Sequence, residues 1–211
     1  MIRVKVCGLT DPSNVKEIVE ANPDFMGFIF FAGSPRYVGE YPDMALFDNV
    51  PPGIKRTGVF LNENNQKIVE TAVRFGLDMV QLHGNESPAA CFKLKSSGLS
   101  VIKSFNIDME FSFDLLDKYV DCCDYFLFDS KSEVAGGSGK KFNWGELGSY
   151  ANNKPFFLSG GIGPEDAELV NSVNNRYLFA VDINSRFETA PGIKDNSRVG
   201  TFINAIKKDQ L

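Results

Sequence analysis

Short apolar segments alternate with amphipathic ones along the whole chain. The apolar, β-rich segments predict eight strands, at Val4–Gly8, Met26–Phe30, Arg56–Leu61, Met79–His83, Val101–Phe105, Tyr125–Asp129, Phe156–Ser159 and Phe179–Ile183. The segments between them predict helices, at Asn65–Phe75, Ser87–Ser97, Phe113–Val120, Pro164–Val173 and Arg198–Lys207. Ser13 and Asn14 suit a helix start after the first strand, whereas Gly39–Pro52 is proline-rich and only weakly periodic.

Eight strand–helix units share 211 residues, about 26 residues for each unit. This predicts an α/β protein, a (β/α)₈ TIM barrel near the lower size limit of that fold, as a single compact domain over residues 1–211. The alternative is an open doubly wound sheet. It is disfavoured because no Gly-x-Gly-x-x-Gly follows the first strand, which ends in Cys-Gly-Leu-Thr.

Alternation along a strand decides which side chains enter the barrel lumen. If Cys7 points inwards, so do Lys5 and Arg3. The same rule groups His83 with Gln81, Asp129 with Leu127, Asp182 with Ala180 and Asn184, and Lys103 with Val101 and Phe105. The predicted lumen therefore holds charges of both signs, which must pair with one another or meet solvent and ligand.

Composition excludes several classes of protein. The net charge of −5 and the absence of any Lys/Arg run argue against nucleic-acid binding. No apolar run approaches the length of a membrane span, and the start has no signal-peptide pattern. The four cysteines lack Cys-x-x-Cys spacing and there is one histidine, so we expect no metal centre and reduced thiols in the cytoplasm.

Polar or reactive residues end most of the predicted strands, where barrels of this type carry their active sites. They are Cys7, Asn62, His83, Asn106, Asp129, Ser159 and Asp182. We interpret Asn62 and Asn106 as structural. Cys7 and Asp129 form a plausible base–acid pair, with Lys5 favouring the thiolate and burial keeping Asp129 protonated.

Three loops at the same rim predict anion binding. Gly160-Gly161-Ile162-Gly163-Pro164 opens a helix, and together with Asn184-Ser185-Arg186 it suits a phosphate. Arg36 in Ser34-Pro35-Arg36-Tyr37 could grip a carboxylate or phosphate with two prongs. The glycine-dense Ser130–Lys141 suggests a mobile lid or an anion-binding turn, and it is no P-loop because Lys141 stands where Ser or Thr is needed.

Taken in order, these motifs resemble the phosphoribosylanthranilate isomerase family of tryptophan biosynthesis over almost the whole chain. The matching segments are Val4–Thr10, Ser34–Tyr37, Gly58–Phe60, Val80–Gly84, Phe128–Ser130, Gly136–Gly139, Phe142–Trp144, Leu158–Gly161, Val181–Asp182 and Pro191–Asp195. The series departs from the family pattern at Asn184-Ser185-Arg186, where a small pair and glycine are common, and at Asn143, where aspartate is common.

The resemblance implies a TIM barrel that carries out an Amadori rearrangement of N-(5-phosphoribosyl)anthranilate without cofactor or metal. Asp129 would be the general acid and Cys7 the general base. Arg36, Gln81, His83 and Asp182 would bind the substrate, and Gly160, Gly161, Asn184 and Ser185 its phosphate. The partner would be a small phosphorylated aminosugar, and we expect a monomer or homodimer.

Two other functions remain open from the sequence. One is another phosphosugar barrel, either an aminoaldose isomerase of histidine biosynthesis, which generally has Asp where Cys7 stands, or an indole-forming synthase, which needs a lysine acid–base system. The other is a non-enzymatic phosphosugar sensor, which a complete acid–base pair disfavours.

Overall fold

The computed structural model describes residues 1–108, 110–130, 144, 147, 150 and 152–208. Eight parallel strands close into a barrel in sequential order, with β8 pairing back onto β1. They are β1 Arg3–Cys7, β2 Phe25–Ile29, β3 Lys55–Phe60, β4 Met79–Leu82, β5 Ser100–Ile107, β6 Tyr125–Ser130, β7 Phe156–Leu158 and β8 Leu178–Ile183. The predicted (β/α)₈ barrel is confirmed, with strand ends shifted by one or two residues.

Helices cover the outside of the barrel. The α-helices are α1 Pro12–Glu20, α2 Ala45–Asp48, α3 Asn65–Phe75, α4 Pro88–Ser96, α5 Ala167–Asn171 and α6 Asn196–Lys208. Shorter 3₁₀-helices occupy Phe113–Tyr119, Pro164–Asp166 and Ser185–Phe187, and a small antiparallel hairpin follows β8, made of β9 Glu188–Ala190 and β10 Ile193–Lys194.

The crossover between β5 and β6 forms a 3₁₀-helix instead of the predicted α-helix. It is a 3₁₀-helix in which Leu116 is fully buried and Phe113 and Tyr119 pack against the core. These apolar residues recur every third position, which matches the three residues per turn of a 3₁₀-helix. The weakly periodic Gly39–Pro52 contributes only the four residues of α2.

α1 starts at Pro12, one residue before the predicted Ser13. Asp11 is the N-cap, and its carboxylate accepts a hydrogen bond from the Asn14 N–H at 2.7 Å. Pro12 follows at the first helical position, where its missing N–H costs no hydrogen bond.

Apolar side chains fill the lower part of the lumen. Phe25, Met79, Ile102, Leu127, Phe157 and Ala180 form a buried cluster separate from the larger one between strands and helices. At the lower edge, Arg3 lies over the ring of Phe179 at 4.3 Å from its centroid. The floor is therefore packed, and chemistry is confined to the end of the barrel where the strands terminate.

One predicted lumen set, Val101, Lys103 and Phe105 on β5, was wrong. Lys103 lies on the outer face of β5 with Val101 and Phe105, because Ile102 is the residue of that strand that joins the lumen cluster. Its ammonium group forms a 3.2 Å ion pair with Glu86 and donates to backbone carbonyls of residues 82, 84 and 104. A local ion pair thus explains this buried lysine.

In the part of the chain that the structure describes, no helix is long and apolar enough to cross a membrane. The predicted glycine-rich lid at 131–141 and Asn143 lie outside the described residues.

Candidate active site

Cys7 ends β1 at the open mouth of the barrel, and its side chain is almost fully buried. Its sulfur leans over Gly27 of β2, where a Cβ would come within 2.7 Å of Sγ. Burial raises the pKa of the Cys7 thiol, and Asp182 adds to the shift, while Lys5 and Lys194 oppose it. Lys5 therefore acts in the expected direction, but burial outweighs it, so the thiol form is favoured.

Lys5 lies one layer below Cys7 and holds a fully buried polar network. Its Nζ donates to Asp182 Oδ2 at 2.9 Å and to Gln81 Oε1 at 2.7 Å. Burial opposes the charge of Lys5, but Asp182 and Cys7 outweigh it, so the Lys5 pKa is raised and the ammonium form is kept. The second oxygen of Asp182, Oδ1, is buried and accepts no hydrogen bond from the described residues.

Gln81 connects this network to the opposite side of the mouth. Its Nε2 lies 3.1 Å from His83 Nδ1, and His83 Nε2 lies 3.6 Å from Asp129 Oδ2. Burial, together with Lys5 and Lys103, lowers the pKa of His83 to about 4, so the imidazole is neutral at physiological pH. About a quarter of the Asp129 side chain remains exposed, which leaves the carboxyl accessible from the pocket.

Arg36 enters the mouth from the loop after β2. Its Nε and Nη2 donate to the two oxygens of Glu188 at 2.8 and 2.6 Å, a two-pronged pair. The buried Lys194 donates to the same carboxylate at 2.7 Å. The hydrogen bond to Glu188 raises the pKa of Arg36, and the two cations, against the cost of burial, lower the pKa of Glu188.

Burial lowers the pKa of Lys194, and Glu188 opposes that shift. With Lys194 protonated, this cluster carries one positive charge in excess, since two cations share one carboxylate. The backbone of Lys194 is held by the buried Asn14, whose side-chain amide accepts from the Lys194 N–H and donates to its carbonyl. Sequence reasoning missed Glu188 and Lys194 as site residues. Lys194 lies in a segment quoted for the family resemblance, whereas Glu188 lies in the β9–β10 hairpin, which no sequence signal had predicted.

Gly8 brings Arg36 and Asn184 together above Cys7. Its φ is +80°, and a Cβ there would lie 2.7 Å from Arg36 Cδ and 2.8 Å from Asn184 Oδ1. Glycine is needed for both reasons. The Asn184 oxygen accepts from Lys194 Nζ at 2.7 Å, so this amide is tied to the cation cluster on its carbonyl side.

The predicted phosphate residues lie on neighbouring loops after β7 and β8. Gly160 and Gly161 both have positive φ, at 94° and 69°. Within the described chain their N–H groups donate to no backbone or side-chain acceptor. Ser185 lies in the loop after β8 and is exposed. Its neighbour Arg186 forms a 2.6 Å ion pair with Glu165, which ties the loop after β8 to the loop after β7.

A second charged cluster holds the loop that follows His83. The Glu86 carboxylate accepts from the N–H groups of Asn62 and Gly84 and pairs with Lys103. The Asn62 side chain accepts from the Asn85 N–H at 2.6 Å. This is the structural role expected for Asn62, and it fixes the loop carrying His83.

A family model and the curated relatives give the same family for this chain. A family model described as N-(5'phosphoribosyl)anthranilate (PRA) isomerase matches residues 4–205. An N-(5'-phosphoribosyl)anthranilate isomerase from Phocaeicola vulgatus is 45% identical over 97% of this chain and 98% of its own length.

Solved structures agree with that assignment. Phosphoribosyl anthranilate isomerase from Thermotoga maritima superposes with a TM-score of 0.86 at 34% identity, covering 99% of this chain and 100% of that one. A second isomerase, in complex with reduced 1-(o-carboxyphenylamino)-1-deoxyribulose 5-phosphate, has a TM-score of 0.83 at 31% identity, covering 99% of this chain and 100% of its own.

Proposed function

Since this chain belongs to the N-(5'-phosphoribosyl)anthranilate isomerase family, we propose that it converts N-(5-phosphoribosyl)anthranilate to 1-(2-carboxyphenylamino)-1-deoxyribulose 5-phosphate in tryptophan biosynthesis. The observation that carries the proposal is the arrangement of the mouth. A thiol and a carboxyl group lie at the carboxyl ends of β1 and β6, at the same end of the barrel, with a surplus cation beside the thiol.

The first step is acid catalysis by Asp129. Its protonated carboxyl gives a proton to the ribose ring oxygen, the C1–O bond breaks, and the nitrogen lone pair forms a C1=N Schiff-base cation. The partial exposure of Asp129 towards the pocket supports this role. General acid catalysis of this kind contributes on the order of 10²–10⁴-fold in rate.

The second step is proton removal by Cys7. Cys7 first loses its thiol proton to solvent. Its thiolate then takes the C2 proton, the electron pair of the C2–H bond forms C1=C2, and the nitrogen regains its lone pair. The resulting enolamine becomes the ketone when C1 gains a proton and the C2 hydroxyl loses one. Lys5 and Lys194 favour the thiolate, and the Schiff-base cation adds a third positive charge when the base is required. The reaction as proposed uses no metal or cofactor.

Binding would use the groups that the structure leaves available. Arg36, which Glu188 already orients, would bind the anthranilate carboxylate, and the surplus positive charge of the cluster would attract it. Oδ1 of Asp182, which accepts no hydrogen bond from the described residues, would accept one from a sugar hydroxyl, and Gln81 and His83 would line the sugar site. The open N–H groups of Gly160 and Gly161, with Asn184 and Ser185, would hold the phosphate.

The geometry disfavours the lysine chemistry of an indole-forming synthase at β5, because Lys103 is turned outwards and paired with Glu86. The four cysteines are all free thiols, which supports our placing the reaction in the reducing cytoplasm. A relative from Thermotoga maritima is described as dimeric. Whether this chain is a monomer or a homodimer stays a prediction for sedimentation analysis.

The decisive assay follows anthranilate fluorescence during conversion of freshly made substrate. Cys7→Ala and Asp129→Asn should each lower turnover on the order of 10²-fold or more. Cys122→Ala, which removes a half-exposed thiol away from the mouth, is the matched control and should leave turnover unchanged. Near-normal turnover in either site variant would refute the assignment.

A further inference from the structure

A chain of polar side chains crosses the mouth of the barrel and is hydrogen-bonded from Asp182 as far as His83. It runs from Asp182 to Lys5, from Lys5 Nζ to Gln81 Oε1 at 2.7 Å, from Gln81 Nε2 to His83 Nδ1 at 3.1 Å, and on to Asp129. Gln81 is buried, and both ends of its amide have a partner within this chain. The amide therefore has a fixed orientation.

The direction of every hydrogen bond in this chain follows from Lys5. An ammonium group has three donors and no acceptor, so the Gln81 atom facing it must be the carbonyl oxygen. The Gln81 amide nitrogen, a donor, then faces His83 Nδ1, which must present its lone pair. A neutral imidazole carries one proton, so the proton is on Nε2.

That tautomer matters because Nε2 is the nitrogen that faces Asp129. At 3.6 Å the two atoms are just beyond hydrogen-bond distance, and a small approach would join them. A free imidazole is more basic than a carboxylate and would take the proton of a neighbouring carboxylic acid. With a hydrogen already on Nε2, it has no lone pair on that side to accept one.

We propose that Gln81 is a positioning residue that holds His83 as the Nε2–H tautomer, so that the imidazole can donate a hydrogen bond towards Asp129 but cannot take its proton. Asp129 then keeps its proton for the substrate, and the carboxylate left after transfer gains a donor. The inference rests on the proposed function only for the role of Asp129 as the acid.

The charged groups around the imidazole favour the same neutral state. Lys5 and Lys103 oppose a second proton on the ring. Two carboxylates lie on the other side of this balance: Glu86, which favours the second proton, and Asp129, which faces Nε2. A proton on Nδ1 would in addition meet the Gln81 amide hydrogens, so protonation requires this amide to turn away from Lys5.

Because His83 is the one histidine of the 211 residues, its ring nitrogens can be assigned without ambiguity by two-bond ¹H–¹⁵N correlation of uniformly labelled protein. We expect a protonated Nε2 and a lone pair on Nδ1 at neutral pH, and a protonation midpoint near the pKa of about 4. A proton on Nδ1, or a cationic ring at neutral pH, would overturn the proposal.

The variant Gln81→Glu tests whether Gln81 sets the tautomer of His83. A carboxylate can accept from both Lys5 and His83 Nδ1–H, so the proton should move to Nδ1 and the midpoint should rise to about 6.5 or above. The kcat value should fall roughly tenfold or more, and this loss should exceed any change in KM that comes from altering the sugar site. Gln66→Glu, at an exposed position on α3, is the matched control and should change none of these values.

An unchanged tautomer and midpoint in folded Gln81→Glu would also refute the proposal. If that variant does not fold, the wild-type spectrum still decides whether the predicted tautomer exists. Failure of the proposed function would appear separately, as wild-type protein without isomerase turnover or as a fully active Asp129→Asn variant, whatever the tautomer of His83.

Discussion

Replacing Lys5 by methionine isolates the buried ion pair that underlies the site. Methionine keeps most of the length and volume of the side chain but removes the charge that pairs with Asp182 at 2.9 Å. The carboxylate would then stand in the barrel with no cation of its own, since Lys194 is engaged by Glu188 and Asn184.

The structure sets the size of the effect. Removing one partner of a buried pair costs about 3–5 kcal/mol, because the other charge remains buried and uncompensated. A 211-residue domain unfolds with an entropy of roughly 0.44 kcal/mol/K, at about 2.1 cal/mol/K for each residue. The melting temperature of Lys5→Met should therefore fall by about 7–11 °C near neutral pH.

Acidification should reduce the difference in melting temperature between the wild-type protein and Lys5→Met. Burial raises the Asp182 pKa even with Lys5 present, and without Lys5 it rises further. A carboxyl whose folded pKa is raised favours the folded state below its unfolded pKa, and this contribution is lost as pH rises through the folded pKa. The variant therefore recovers stability as pH falls and Asp182 takes up a proton.

The assay is thermal unfolding followed by circular dichroism between about pH 7.5 and pH 5. Lys67→Met is the matched control, because Lys67 pairs with Glu63 on the surface, and its melting temperature should change by less than about 2 °C. Lys5→Met combined with Asp182→Asn should recover more than half of the loss. A pH-independent loss, or no recovery in the double variant, would refute the ion-pair account.

Three further predictions concern the rim. Arg36→Lys keeps the charge but not the two-pronged pair with Glu188, so KM should rise about 10–100-fold with a smaller change in kcat; equal KM values would contradict this role. The rate of Cys7 alkylation, measured by mass spectrometry, should increase with pH through a midpoint above the usual thiol value, because the pKa of Cys7 is raised; a half-maximal rate near neutral pH would contradict this prediction. Gly8→Ala should lower the melting temperature more than Gly98→Ala, since both have positive φ but only Gly8 would collide with neighbours; equal losses would exclude the collision.

The strand pattern was enough to predict the barrel and most of the polar side chains that meet at its mouth. Once Cys7 faces the lumen, alternation places Lys5 beneath it, and the same rule places Gln81 below His83 and Asp182 beside Lys5. Period-two alternation therefore predicted the polar layer correctly on these strands. The alternation could not decide which side chains of β5 face the lumen. Both alternating sets, Val101, Lys103 and Phe105 on one face and Ile102 and Ser104 on the other, contain apolar and polar residues.

The error at Lys103 has a physical cause. Its partner, Glu86, lies in the loop after β4 and meets it only when β4 and β5 pair in register. Glu188 was missed for a related reason, since it reaches Arg36 from 152 positions away along the chain. Long-range ion pairs leave no local periodicity, so the sequence predicted the residues of the strand tips better than the residues that orient them.

The charges at the mouth explain how a protein with a net charge of −5 can suit a substrate carrying a carboxylate and a phosphate. Lys5 and Asp182 cancel each other, while Arg36 and Lys194 share the single carboxylate of Glu188, which leaves one positive charge beside Cys7. Buried in low-dielectric surroundings, that charge acts at short range and is screened less than the acidic surface. Local pairing, rather than overall composition, therefore determines the sign of the ligand that the site can accept.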